Sequence, residues 1–252
     1  MTNAVDLPPD FRLIELVSVG STSDEAKDQA RKGAAHGTFV WAREQTTGRG
    51  RAGRTWASPP GNLYVSVVLR PGVPMTRSAE LSFVSVVALG EALSSVVAKA
   101  DRLAFKWPND VLLGGRKVAG ILLETESGAD WVVLGVGVNV VSHPADAAFP
   151  ATDLAADSPA PALRHLLVLF ANALDVWMVR WRTQGFAPVR NAWMARAWGQ
   201  GDPITVRLPD RSLTGRFSDL DAHGRLILAL PDGSNKLVAA GEVYFGTTAS
   251  SR

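Results

Sequence analysis

Cysteine is absent from the 252 residues. Disulfides, thiol nucleophiles and cysteine-ligated zinc are therefore excluded, and a cytoplasmic location is the natural expectation. Histidine (4) and tyrosine (2) are scarce, so little buffers the chain between its carboxylates and its lysines. That scarcity reconciles a formal charge of only +2 with an isoelectric point near 9.1. A balance so close to neutral gives no electrostatic case for a nucleic-acid partner. Long apolar runs are lacking too. The longest, from Trp131 to Val141, is interrupted by Gly135, Gly137 and Asn139 and is too short to cross a bilayer. Met1 to Asp10 carries two acids and two prolines and shows neither a basic nor an apolar signal region, so no secretory signal is expected. There is no internal repeat and no Walker A loop.

What is present suits one large domain, or one medium and one small: 46% of the residues are hydrophobic. Phe11 to Val17 alternates and predicts a strand. Thr22, with Glu25 three residues on, predicts a capping box that starts a helix running to about Gly33. Strands are expected over 38–43 and 62–69, and a long helix over 78–100 with Phe83, Val87, Gly90, Leu93 and Val97 on one face. Short strands follow at 103–107, 118–125 and 131–138, separated by turns at Pro-Asn-Asp, Gly-Gly-Arg and Ser-Gly-Ala-Asp. A loop spans about 142–161. Leu163 to Trp181 marks a buried-face helix, and a shorter helix runs from about Phe186 to Trp198. After Gly199 the pattern changes to short strands with Gly, Asp and Pro turns. The expected architecture is α+β: a central mixed or antiparallel sheet with helices over residues 1–198, then a small β-barrel over 199–252.

Gly48-Arg-Gly-Arg-Ala-Gly53 formally matches a dinucleotide-binding fingerprint. That motif needs a helix at its third glycine and an acid about 20 residues on, whereas Gly53 leads into Arg-Thr-Trp-Ala-Ser-Pro-Pro. The loop offers something different. Arg49, Arg51 and Arg54 alternate with glycines that admit a ligand close to the backbone, and arginine reads phosphate and carboxylate through two parallel hydrogen bonds. By itself such a loop is as compatible with a solvated surface loop or an RNA-binding segment. Strands on both sides embed it in the domain instead. Lys117 opens an apolar strand, Asn109-Asp110 reads as a turn, Ser21-Thr-Ser as a helix cap, and Gly135-Val-Gly-Val-Asn139 as a buried strand with a polar end.

Taken in order and spacing, five segments resemble the biotin–protein ligase family: Ser21-Thr-Ser23, Gln45 with Gly48 to Trp56, Lys106-Trp-Pro-Asn-Asp110, Lys117 to Glu124, and Gly135 to Asn139. The likeness covers roughly residues 11–246, including Gly241-Glu-Val. It implies a class II synthetase-like catalytic fold with an SH3-like barrel, and an enzyme that makes biotinyl-5'-AMP from biotin and ATP, then passes biotin to a lysine of a biotin carboxyl carrier domain of an acyl-CoA or pyruvate carboxylase. It also implies the catalytic residues Lys117, Arg51 and Asp110. Arg49, Arg51 and the loop backbone at Gly48 and Gly50 would hold the biotin carboxylate and adenylate phosphate, with Lys117 bridging them. Ser21, Thr22 and Gln45 would bond the ureido ring, with Ser23 beside them. Trp56 would pack on adenine and Asn139 would lie near the nucleotide. Arg54, Lys106, Asn109, Gly120, Gly135 and Gly137 complete the binding set. Asp110 would orient either a lysine or a magnesium ion. Magnesium would accompany ATP, and no carboxylate cluster marks a protein metal site. Since the catalytic strand starts by Phe11, no helix-turn-helix and no DNA binding are expected. A homodimer is left open. The nearest rival is a lipoate ligase or octanoyl transferase; the Gly-Arg-Gly-Arg and Lys-Trp-Pro-Asn-Asp segments favour biotin.

Overall fold

The computed structural model describes residues 6–245. The N-terminal reading above and the last residues of the 199–252 unit lie partly outside them. Two sheets account for the strands. The first has seven: β1 (Arg12–Val19), β2 (Thr38–Gln45), β3 (Leu63–Leu69), β4 (Leu103–Lys106), β5 (Asp110–Leu113), β6 (Arg116–Glu124) and β7 (Val132–Val138). Their order is β1-β2-β3-β7-β6-β5-β4. β1 runs parallel to β2 and every other neighbour is antiparallel, so the expected mixed sheet is found.

Side-chain alternation decides what each face of this sheet does. Leu63, Val65, Val67 and Leu69 of β3, with Leu134, Val136 and Val138 of β7, join the main core. That core also takes in α2 (Glu80–Ser94), α3 (Leu163–Gln184) and α4 (Ala187–Met194). The residues between them face the other way. Val68 and Val133 pack with Ala26 and Ala30 of α1 (Thr22–Arg31), while Ser66 and Gly135 stay small beneath the start of that helix and Gly137 stays small beneath Trp56. A large residue at those positions would fill the space where the cavity described below opens. On the helical side, Glu80 is 5% exposed, and its charge is matched by Arg77 and by the indole N–H of Trp181 at 2.5 Å.

The second sheet comprises β8 (Pro203–Arg207), β9 (Ser212–Leu220), β10 (Leu226–Ala229), β11 (Asn235–Val238) and β12 (Glu242–Phe245), in the order β11-β10-β9-β8-β12. All its pairs are antiparallel. Among the described residues its end strands do not pair with one another, so the expected small barrel is not closed. β11 is short and exposed along most of its length, which leaves little to drive closure. The sheet is tied to the first one where Trp198 N–H donates to the Phe105 carbonyl at 2.8 Å and Trp107 donates to the Gly224 carbonyl at 3.0 Å.

Three local expectations change. Ser21 is the N-cap of α1, its hydroxyl accepting from Ser23 N–H, and Glu25 is bonded by Gln29 instead of closing a capping box. Thr22 is thereby freed to point into the sheet. The 78–100 helix is regular only over Glu80–Ser94, because the Ser-Ser and following residues satisfy the terminal carbonyls locally. Asp110, read as the last residue of a Pro-Asn-Asp turn, instead opens the strand Asp110–Leu113 between β4 and β6, and Val111–Leu113 had no assignment. Four residues after a Pro-Asn turn carry too little periodicity to announce one.

Candidate active site

A cavity of about 480 Å³ lies over the glycine-bearing face of β6 and β7, roofed by the Gly48–Trp56 loop and closed at one side by β12. Of the residues singled out above, Ser21, Thr22, Ser23, Gln45, Arg49, Gly50, Arg51, Arg54, Trp56, Lys106, Asn109, Asp110, Lys117, Gly120, Gly135, Gly137 and Asn139 all line it. Gly48 does not, but it shapes the roof. A Cβ there would lie 2.5 Å from the Trp56 carbonyl and the Ser58 hydroxyl, so only glycine lets the loop close on itself.

One end of the cavity is a ring of uncharged hydrogen-bonding groups. Gln45 sits at the end of β2, and its carbonyl accepts from Thr22 N–H at 2.8 Å and from the Thr22 hydroxyl at 3.0 Å. Its amide donates to Ser58 at 2.9 Å. Ser66, in the middle of β3, lies 2.8 Å from the Thr22 hydroxyl and 3.0 Å from that of Ser23. The hydroxyls are buried and Gln45 is half-buried, all are mutually satisfied, and those of Thr22, Ser23 and Gln45 that line the cavity offer both donors and acceptors to a small polar ligand.

The other end is cationic. Asp110 stands between two lysines, 2.6 Å from Lys117 Nζ and 3.8 Å from Lys106 Nζ. β5 and β6 pair side by side, which brings the aspartate and Lys117 together. Lys106 is 7% exposed and lies 4.5 Å over the ring of Phe149. Burial pushes its pKa down, with Asp110 opposing the shift. Arg51 donates to Asn109 Oδ1 at 3.2 Å and to the Gly241 carbonyl at 3.5 Å, and Asn109 is itself anchored to the Ile121 carbonyl. Arg54 pairs with Glu242, which also accepts from the Tyr244 hydroxyl at 2.7 Å. Burial opposes the Glu242 charge, but Tyr244, Arg54, Lys106 and Arg51 outweigh it and hold its pKa low.

Trp56, at the end of the roofing loop, packs down on the glycines of the sheet between these two ends. A Cβ on Gly137 would come within 2.5 Å of its indole, and Lys117 Nζ stands 5.3 Å over its ring. Arg49 faces the cavity but is already engaged: its two terminal nitrogens meet the Asp24 carboxylate at 2.5 and 2.6 Å. Arg49 accordingly draws the Asp24 pKa down to about 2. Asn139 directly follows β7, and its amide donates to the Thr152 carbonyl at 3.0 Å. This ties it to the 142–153 loop that brings Phe149 to the cavity.

Sequence reasoning missed Ser66, Phe149, Glu242 and Tyr244 as parts of this site. Only Glu242 had a signal, in the Gly241-Glu-Val segment. Among the described residues no three His, Asp or Glu side chains group as metal ligands, and Asp110 is taken up by lysines. The residues present do not fit a resident metal ion.

Residues 16–140 match the biotin/lipoate A/B protein ligase family, and residues 201–246 match the biotin protein ligase C-terminal domain. The chain is 42% identical over 240 residues to a biotin–[acetyl-CoA-carboxylase] ligase of Paracoccus denitrificans, covering 92% of this chain and 99% of that one. It is 32% identical over 240 residues to the corresponding ligase of Mycobacterium tuberculosis, covering 92% and 89%. Among solved structures, the biotin protein ligase of Aquifex aeolicus in complex with biotin and ATP superposes with a TM-score of 0.80 at 26% identity, covering 92% and 97% of the two chains. A fold with α1 and the arginine loop over a glycine-floored mixed sheet, and this similarity along nearly the whole chain, lead to one assignment: the chain belongs to the biotin–protein ligase family.

Proposed function

We propose that this cavity joins biotin to ATP and then delivers the biotinyl group to a lysine of a carrier protein. The observation that carries the reading is the cavity's division into a neutral hydrogen-bonding end and a cationic end, with Trp56 between them. Biotin has the same division: a ureido ring with N–H donors and a carbonyl acceptor, and a carboxylate at the end of an apolar chain. Ser21, Thr22, Ser23 and Gln45 match the ring, and Ser66 holds the Thr22 and Ser23 hydroxyls from behind. The carboxylate then extends past Trp56 toward Lys117.

In the first step a biotin carboxylate oxygen attacks the α-phosphorus of ATP. The bond from that phosphorus to the oxygen bridging to the β-phosphate breaks, and pyrophosphate leaves. Two anions must approach each other, so fixed positive charge is needed where they meet. Lys117 and Arg51 provide it, and Lys106 adds to it from below. Asp110 holds Lys117 in place, the lysine-orienting alternative of the two raised above. In the second step the carrier lysine's neutral amine attacks the acyl carbon, AMP leaves, and an amide remains. Magnesium belongs to ATP as its companion; the described residues offer no ligand cage for it. The carrier is a biotin carboxyl carrier domain, of an acyl-CoA carboxylase first and of a pyruvate carboxylase as the further candidate, and the setting is the cytoplasm. We take 1–198 as the catalytic unit and 199–252 as the smaller one, a division that follows the two sheets.

A lipoate-type substrate would leave the polar ring without partners, and an unfilled polar site discriminates strongly against an analogue that lacks the matching groups. The test is exchange of labelled pyrophosphate into ATP. Exchange that depends on biotin, and that neither lipoate nor octanoate supports, is expected. Exchange supported equally by octanoate would overturn biotin as the substrate that the polar end selects.

A further inference from the structure

Asp24 is half exposed and lies in the first turn of α1, next to Ser21, Thr22 and Ser23. It meets Arg49 through both carboxylate oxygens, at 2.5 and 2.6 Å. That is the edge with which a guanidinium reads a carboxylate or a phosphate, and one edge cannot serve two anions at once. Two further charges surround the pair. Lys27 Nζ stands 3.2 Å from Asp24 and 3.0 Å from Glu124, and Glu124 stands 3.6 Å from Arg49. Four charges of alternating sign thus link α1, the arginine loop and the end of β6. Arg49 also forms a β-bridge with Thr55, so whatever fixes Arg49 fixes both arms of the loop's stem. Arg51, two residues on, has only neutral groups within hydrogen-bond reach among the described residues, Asn109 and the Gly241 carbonyl.

We propose that Asp24 is a positioning residue that clamps Arg49, and with it the stem of the arginine loop, to the helix bearing the cavity's polar end. Arg49 on this view is a strut, and reception of the reacting anions falls to Arg51 and the lysines. The role presupposes the ligase reading above. A clamped loop is held over the biotin end before biotin arrives. Without the clamp the loop spends part of its time open, and apparent affinity falls by the fraction closed. Saturating biotin closes the loop again, so turnover recovers.

The experiment compares wild type, Asp24→Asn and the charge exchange of all four groups, Asp24→Arg, Arg49→Asp, Lys27→Glu and Glu124→Lys, which keeps the alternation of sign, in biotin-dependent pyrophosphate exchange. For Asp24→Asn the biotin KM is expected to rise roughly fivefold, the scale of one partly exposed ion pair, with kcat nearly unchanged. The charge exchange is expected to bring KM back toward wild type. Trypsin, which cuts after arginine, should open the loop faster in Asp24→Asn than in wild type without ligand, a readout independent of activity. A lower or unchanged KM in Asp24→Asn would mean that the carboxylate competes with the reactants or does nothing, and would overturn the clamp. So would an inactive charge exchange in a folded protein, because Arg49 would then be needed for its own charge. Unaltered trypsin cleavage would overturn it equally. Wild type without biotin-dependent exchange is a different failure, that of the ligase reading itself.

Discussion

Lys117 bears most of the chemistry at the scale of single residues. It lies between Asp110 at 2.6 Å and the face of Trp56, so its charge is fixed before any reactant arrives. A preplaced charge in a site that excludes water supplies about 3 kcal/mol to a transition state that gathers negative charge. Lys117→Ala should therefore slow pyrophosphate release by roughly 100-fold or more, while biotin binding at the neutral end changes little. Near-normal release measured in single turnover would remove Lys117 from the reacting centre. The residues that the sequence disclosed are those clustered in short segments: the arginine loop, the Lys106–Asp110 block, and Lys117. Ser66 was not legible. It is a serine within a fully buried strand, and its partner Thr22 is 44 positions away. Phe149, in a loop of Ala, Pro and Asp, gave no pattern to read.

The elements most closely fitted to one another are the arginine loop and β7. Gly137 belongs to a strand whose opposite face is core, so its missing side chain is space kept for Trp56. Gly137→Ala would put a methyl 2.5 Å from the indole. Trp56 would have to move, since the strand beneath it is paired on both edges. Overpacking of this kind costs about 1–3 kcal/mol, drawn here from the closed loop. The substitution should raise the KM for both biotin and ATP with little loss of thermal stability. Unchanged KM values for both would show that Trp56 has no fixed place in the closed site. The sequence disclosed β7 as a buried strand with a polar end, but not which face its glycines take. It could not reveal β5, whose four residues make sense only between β4 and β6. The N-cap was misplaced by one residue because Ser21 and Thr22 are equally able caps. Tertiary demand for the Thr22 hydroxyl decides between them.

On the scale of the whole molecule, the two sheets close one cavity together, through Arg54 with Glu242 and Arg51 with the Gly241 carbonyl. The composition change after Gly199 located the second sheet, but no local pattern showed that β12 would reach residues some 190 positions earlier. Far from the cavity, His36 reports on global stability. Its Nδ1 accepts from Arg70 N–H at 3.0 Å and its Nε2 lies 3.3 Å from the Arg182 guanidinium. Burial first, then the Arg182 charge, lowers its pKa from 6.5 to about 4. The unfolded chain therefore takes up a proton below 6.5 that the folded chain refuses until about 4. Stability from this group is complete above pH 6.5, falls between 6.5 and 4, and falls no further below. His36→Asn keeps an acceptor without a titrating ring. Its melting temperature should decline less than that of wild type between pH 7 and roughly 4.5. Parallel declines would show that His36 is free to protonate in the folded protein.

The central claim is that one cavity activates biotin with ATP and hands it to a carrier lysine. Labelled biotin incubated with the protein, Mg-ATP and a purified biotin carboxyl carrier domain tests it most directly. The account predicts label in an amide on a single carrier lysine, one AMP formed per biotin attached, and no transfer when ATP is withheld or that lysine is replaced by arginine. Binding of biotin and ATP without any transfer to the carrier, or transfer that proceeds without ATP, would contradict it.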